Sequence, residues 1–184
     1  MEAQSLFNSL LEEPSLDKFL RLRNTLVSSE NYDPYSTEID DMQTCVKAGD
    51  AQGTMDLFKS TYPNLLISPA AHFRLADAYE YLGNKEWAKQ EKQIGILILQ
   101  CIMEMGDGTR ERPYLIARIT DEYDVLNALG KESGARGLLC EDSRLFDMQR
   151  CIDGTEVFFD VTDVFQFFAG VSSESQTLSR KLSK

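Results

Sequence analysis

Apolar positions in the first hundred residues recur at helical spacing. Leu6, Leu10 and Leu11 form one stripe and Leu16, Phe19, Leu20, Leu22 and Leu26 form the next, with Glu13-Pro14-Ser15 between them and Ser15 placed to cap the second. Tyr32-Asp33-Pro34-Tyr35 reads as a connector, and Ser68-Pro69 as a cap followed by a proline at the first helical position. Gly49-Asp50 and Gly83-Asn84 lie 34 residues apart, and the residues before them correspond: Ile39 with Phe73, Met42 with Ala76, Cys45 with Tyr79, Ala48 with Leu82. This pattern predicts about six helices in three hairpins, the last reaching Glu104.

After Met105 the rhythm changes to alternation. Gly106-Asp107-Gly108-Thr109 breaks the helix, and Pro113 leads into Tyr114–Ile119, a stretch of strand character. Thr120 is placed to cap a short helix with Asp121 and Glu122 in its first turn and Tyr123, Val125, Leu126 and Leu129 facing inward, and Gly130 ends it. A strand near Ala135–Glu141 precedes a hairpin of Arg144–Ile152 and Thr155–Val164. With Asp153-Gly154 as a two-residue type I′ loop, Ile152 opposes Thr155, and Arg150, Met148 and Phe146 oppose Val157, Phe159 and Val161 on the core face. Asp147, Gln149, Glu156, Phe158, Asp160 and Thr162 then share the wetter face.

The expected fold is α+β: a helical-hairpin array over residues 1–105, a small, mainly antiparallel α+β module with one short helix over 106–168, and a flexible Ser-rich tail over 169–184. One small sheet and one short helix cannot cover both faces of the sheet, so a buried apolar interface between the two parts is expected.

Two stretches carry resemblances. In AHFRLADAYEYLGNKEWAKQE, Leu75, Ala76, Tyr79, Gly83 and Ala88 fall where tetratricopeptide repeats place their large, small, aromatic, turn and small residues. The resemblance implies stacked hairpins with a concave groove that takes a peptide or helix. The run GDGTRERPYLIARITDEYDVLNALG, followed by DGTEVFFDVTDVF, is similar to a little-characterised bacterial family of unknown function. That family has a glycine-rich turn, a D/E-E-Y helix ending in L-G and a terminal F-D-V strand, carried here by Gly106, Gly108, Glu122, Tyr123, Gly130 and Asp160. It brings no established activity with it.

Composition narrows the chemistry. Apolar residues make up 42% and charged residues 27%, as in a globular protein, and the net charge is −11. The excess of acid is shared between the two parts and no basic face is clustered, so nucleic acid is a poor partner. An acidic N-terminus without a signal-like apolar core, and no run long enough for a membrane span, lead us to expect a cytoplasmic protein with no membrane partner. Cys45, Cys101, Cys140 and Cys151 form no C-x-x-C pair and read as reduced, buried thiols. Gly106 and Gly108 lack a preceding strand and a following G-K-[ST], and read as a turn rather than a phosphate loop.

Two constellations remain. Asp121, Glu122, Asp124, Asp160 and Asp163 would form a carboxylate cluster if the helix start approaches the end of the hairpin strand, and oxygen ligands of that kind hold Mg²⁺ or Ca²⁺. His72, the only histidine, could line the repeat groove with Tyr79, Tyr81 and Trp87; the competing reading places these rings between helices. No cofactor is expected. The functional expectation is a non-enzymatic module binding a protein partner, a basic one if charge decides, with a metal-assisted hydrolase built around Asp124 and Asp160 as the alternative.

Overall fold

The computed structural model of the chain describes residues 2–165, so the tail expected over 169–184 lies outside the described residues. Six helices come first: α1 (Glu2–Glu12), α2 (Leu16–Val27), α3 (Glu38–Lys47), α4 (Ala51–Ser60), α5 (Pro69–Tyr81) and α6 (Lys85–Met105). Their starts are set by the residues the sequence marks. Ser15 and Ser68 accept from the backbone N–H groups of Lys18 and Ala71, and Asp50 and Asn84 accept from those of Gly53 and Trp87. The 34-residue correspondence is a repeated helix ending. Gly49 and Gly83 both take left-handed backbone (φ 72° and 75°), and the N–H groups of Asp50 and Asn84 reach back 2.8 and 2.9 Å to the carbonyls of Cys45 and Tyr79.

The hairpins do not stack in chain order. α3 and α4 pack on α5 through Ile39, Met42, Leu65, Ala71 and Leu75. The main helix neighbour of α2 outside its own hairpin is α6, and Phe7 of α1 stacks on His72 of α5 with ring centroids 5.9 Å apart. The third hairpin therefore lies between the other two, and the expected superhelical succession gives way to a compact cluster.

The sheet holds β1 (Tyr114–Leu115), β2 (Ser133–Glu141), β3 (Arg144–Cys151) and β4 (Glu156–Asp160) in the order β1-β4-β3-β2, with α7 (Thr120–Ala128) between β1 and β2 in the chain. β1 runs parallel to β4, and the other pairings are antiparallel. Phe19, Leu22 and Leu26 of α2 and Ile98 and Ile102 of α6 join Ile116, Val125, Leu126, Phe159 and Val161 in one core, so the two parts share their apolar interior. Burying each such large side chain contributes about 1.5–3 kcal/mol. The connector after α2 is strapped to the turn before α7. Arg118, fully buried, donates to the carbonyls of Asp33 and Ser36 at 2.7 and 3.0 Å, and the Tyr32 hydroxyl donates to the Ala117 carbonyl at 2.6 Å.

Five local expectations are corrected. Tyr123, expected to face inward, is 46% exposed, because Asp121, Glu122, Val125 and Leu126 take the inward face of α7. The strand expected over Tyr114–Ile119 pairs only at Tyr114 and Leu115, because Ile119 already turns into α7. Thr120 is the first helical residue, with its hydroxyl buried and unbonded, while Asp121 accepts from the N–H groups of Ala117 and Arg118. Cys140 is exposed, because it lies on the outermost strand. The hairpin loop has three residues. Cys151 N–H donates to the Thr155 carbonyl at 2.8 Å, and Gly154, at φ 84°, closes a turn over Ile152-Asp153-Gly154. Arg150, Gln149, Met148 and Asp147 consequently oppose Glu156, Val157, Phe158 and Phe159, one residue out of the expected register. A slip of one residue exchanges the faces of a strand.

Candidate functional site

That exchange places Asp147 and Gln149 on the same face of the sheet as Phe159 and Val157, and both are buried. Glu122, on the first turn of α7, meets them there. Gln149 Nε2 donates to Glu122 Oε2 at 2.8 Å, Ser133 Oγ donates to Gln149 Oε1 at 2.7 Å, and Arg136 Nη2 bridges Glu122 Oε2 and Asp147 Oδ2. Glu122 Oε1 receives no donor. Burial, reinforced by the negative Asp147 beside it, pushes the Glu122 carboxyl up to about 8 against the opposing pull of Gln149 and Arg136. Tyr35 lies within reach of this charge, and its hydroxyl is raised by burial and by Glu122.

Asp121 is fully buried one residue earlier. Desolvation pushes it up to about 6 although Arg118 and two backbone N–H groups favour its charge. Asp124 Oδ2 accepts from Ala70 N–H at 3.1 Å, at the start of α5 where the helix dipole favours an anion; burial and the neighbouring Asp121 still push it up to about 7.

Asp160 and Asp163 are elsewhere. Asp160 Oδ2 pairs with Arg144 at 2.7 Å and its Oδ1 accepts from Thr162, beside a shallow cleft of about 470 Å³ reached by Leu20 and Met105. Burial alone would raise this carboxyl, but the bonds from Thr162 and Arg144 outweigh it and the net direction is down. Asp163 pairs with the buried Arg23 of α2 at 2.8 Å. The five carboxylates are thus distributed over separate partners, and among the described residues no three His, Cys, Asp or Glu side chains are grouped to hold a metal ion.

The aromatic set also divides. His72 is buried near the start of α5, with Nδ1 2.7 Å from Glu91 Oε2 and Nε2 3.0 Å from the Leu66 carbonyl. Tyr81 ends the same helix, about 14 Å further along its axis. There Tyr81, Leu82 and Trp87 are 70%, 56% and 52% exposed, and Trp87 stacks on Tyr79 with centroids 6.0 Å apart. The expected groove is therefore an outward-facing hairpin tip without His72.

The network around Glu122 is what the sequence did not disclose. Asp147 and Gln149 alternate with apolar residues as surface positions do, and only the three-residue loop turns them inward. Chemically, Glu122 is a carboxyl shifted toward its neutral form by burial and by Asp147, but Glu122 and Gln149 are wholly enclosed and Arg136 occupies the approach. A closed, internally bonded set of this kind joins α7 to the sheet rather than receiving a substrate.

Comparison with known proteins yields no match: no family model, no curated protein and no solved structure is similar to the chain. Its class is defined by the fold alone, an α+β chain of helical hairpins packed on a small mixed sheet, and no helix among the described residues is long and apolar enough to cross a membrane.

Proposed function

We propose that this chain is a protein-interaction module whose contact surface is the tip of the α5–α6 hairpin. One observation carries the reading: Tyr81, Leu82 and Trp87, three large apolar side chains within seven residues at the hairpin turn, are each more than half exposed. Aromatic anchors of this type dominate protein interfaces because they bury much area at little entropic loss. Charge along residues 74–92 is balanced, with Arg74, Lys85, Lys89 and Lys92 against Asp77, Glu80, Glu86 and Glu91, so this segment adds no net charge to the apolar attraction. The net charge of −11 acts at longer range and favours a basic partner.

The test is capture from host lysate by the tagged wild-type protein and by a Leu82→Ser, Trp87→Ser variant, at low and moderate salt. Both positions are more than half exposed, and an unchanged far-ultraviolet dichroism spectrum checks that the variant is folded. A stoichiometric partner retained by the wild type and lost by the variant supports the reading. Equal retention by both, or no partner for the wild type, overturns it. Trp87 is the only tryptophan, so its emission also reports binding directly, moving to shorter wavelength as a purified partner covers it.

A further inference from the structure

β2 ends the sheet, with β3 on one side and nothing among the described residues paired on the other. The opposite end is β1, only two residues long. Free edges of sheets are normally guarded by lysine, proline, a bulge or shortness, because their unpaired N–H and C=O groups recruit other strands. β2 spans nine residues without lysine or proline, its Arg136 is turned onto Glu122 and Asp147, and its single irregularity falls at Ser133/Ala135, leaving the backbone of Arg136–Glu141 regular.

The ladder fixes which backbone groups are open. Leu145 and Cys151 of β3 bond toward β4, through Val161 N–H to the Leu145 carbonyl and Cys151 N–H to the Thr155 carbonyl. Alternation in an antiparallel ladder turns Phe146 and Met148 toward β2, where they oppose Leu139 and Gly137. Arg136, Leu138 and Cys140 therefore direct their N–H and C=O groups outward. Leu138, at their centre, is 54% exposed.

From this edge we infer that β2 pairs antiparallel with β2 of a second copy across a two-fold axis at Leu138, joining two four-stranded sheets into one. A two-fold axis is the symmetry that lets one strand complement itself. With the axis at Leu138, each open residue meets an open residue: Leu138 meets Leu138 and Arg136 meets Cys140, with about two N–H···O bonds per opposed pair. On the other face, Gly137 receives Leu139 of the second copy. Charges are compatible, since Ala135 faces Glu141 and no like charges stand opposite. Each chain carries −11, so added salt strengthens the association by screening repulsion between copies.

Sedimentation equilibrium of the full chain at rising concentration tests this. The wild type moves from the mass of one chain toward two, more readily at moderate than at low salt. Leu138→Lys sets two ammonium groups against each other at the axis and keeps the mass at one chain, with unchanged far-ultraviolet dichroism. A second variant fixes the register. In a Cys140→Ser background, Leu138→Cys forms an oxidant-dependent disulfide dimer, because directly opposed hydrogen-bonded residues have Cα atoms about 5.5 Å apart. Leu139→Cys in the same background, facing Gly137 instead of its own copy, does not. A wild type that stays at one chain throughout, a Leu138→Lys protein that still dimerises, or equal cross-linking from positions 138 and 139 overturns the inference.

Discussion

Gln149 Nε2 lies 2.8 Å from Glu122 Oε2, a contact between β3 and α7 that exists only because the hairpin loop has three residues instead of two. In the two-residue register Gln149 would point to the other face of the sheet, and Glu122 would be enclosed without it. Bonds from Gln149 and Arg136 to one carboxyl oxygen, with the shift of the group toward its neutral form, offset its desolvation.

Stability should therefore fall as pH rises from about 5 to 8. Glu122, Asp124 and Asp121 are raised in the folded chain to about 8, 7 and 6. A group raised on folding binds its proton more tightly in the native state. Its contribution is complete below the unfolded carboxyl value and is lost as pH climbs through the folded value. Glu122→Gln keeps the shape and removes the titration. The expected outcome is a shallower decline of the urea midpoint between pH 5 and 8, with a gain on the order of 2 kcal/mol at pH 8. An unchanged slope would show that Glu122 does not titrate in this window.

Arg118 should be the costliest single truncation in the strap between α2 and the sheet module. Its guanidinium satisfies the carbonyls of Asp33 and Ser36 and the Ser36 hydroxyl, and it neighbours the buried Asp121. Arg118→Met leaves these three acceptors without their donor and removes the positive charge beside Asp121, and is expected to cost about 3–5 kcal/mol by denaturant unfolding. Tyr32→Phe loses the bond to the Ala117 carbonyl and should cost about 1–2 kcal/mol.

The helical half was legible in sequence because its signals are local. Ser15, Asp50, Ser68 and Asn84 cap where they stand, and Gly49 and Gly83 end helices by their own backbone conformation. The packing of those helices was not, since α6 carries apolar residues that suit α2 as well as a neighbour in a stacked array, and only tertiary contact selects. In the sheet half the elements were legible and their faces were not. Asp153-Gly154 marks a turn under either loop length, yet the two lengths differ by one residue of register. Of the candidate acids, the first-turn position of Asp121 and Glu122 could be read, whereas their partners Ala117, Arg118 and Gln149 follow from the register and from the long-range strap.

Gly154 supplies the backbone conformation that sets this register. Its φ is 84°, and a Cβ added there meets nothing within 4 Å, so any loss on substitution is conformational and not steric crowding. Gly154→Ala is expected to cost about 1–2 kcal/mol, and Gly154→Asn less, because asparagine tolerates left-handed backbone. Thermal unfolding of both variants checks the order; equal losses would show that the loop relaxes to another turn.

His72 makes the clearest separation between a packing role and a binding role. Both ring nitrogens are occupied, by Glu91 at 2.7 Å and the Leu66 carbonyl at 3.0 Å, and the ring stacks on Phe7 and meets the edge of Phe58 at 5.5 Å. No nitrogen is left to ligate or to transfer a proton to an outside molecule. His72→Phe keeps the stack and removes both bonds, leaving the mostly buried Glu91 carboxylate and the Leu66 carbonyl unpaired, at an expected cost of about 2–4 kcal/mol. Glu91→Gln in that background removes the stranded charge and should recover part of the loss, giving a coupling of about 1–2 kcal/mol in a double-mutant cycle. Partner capture through the α5–α6 tip should survive His72→Phe once the protein is assayed well below its unfolding temperature, since His72 is buried and Tyr81 at the tip lies about 14 Å further along α5. Loss of capture in a variant that is folded at the assay temperature would instead tie His72 to the contact surface.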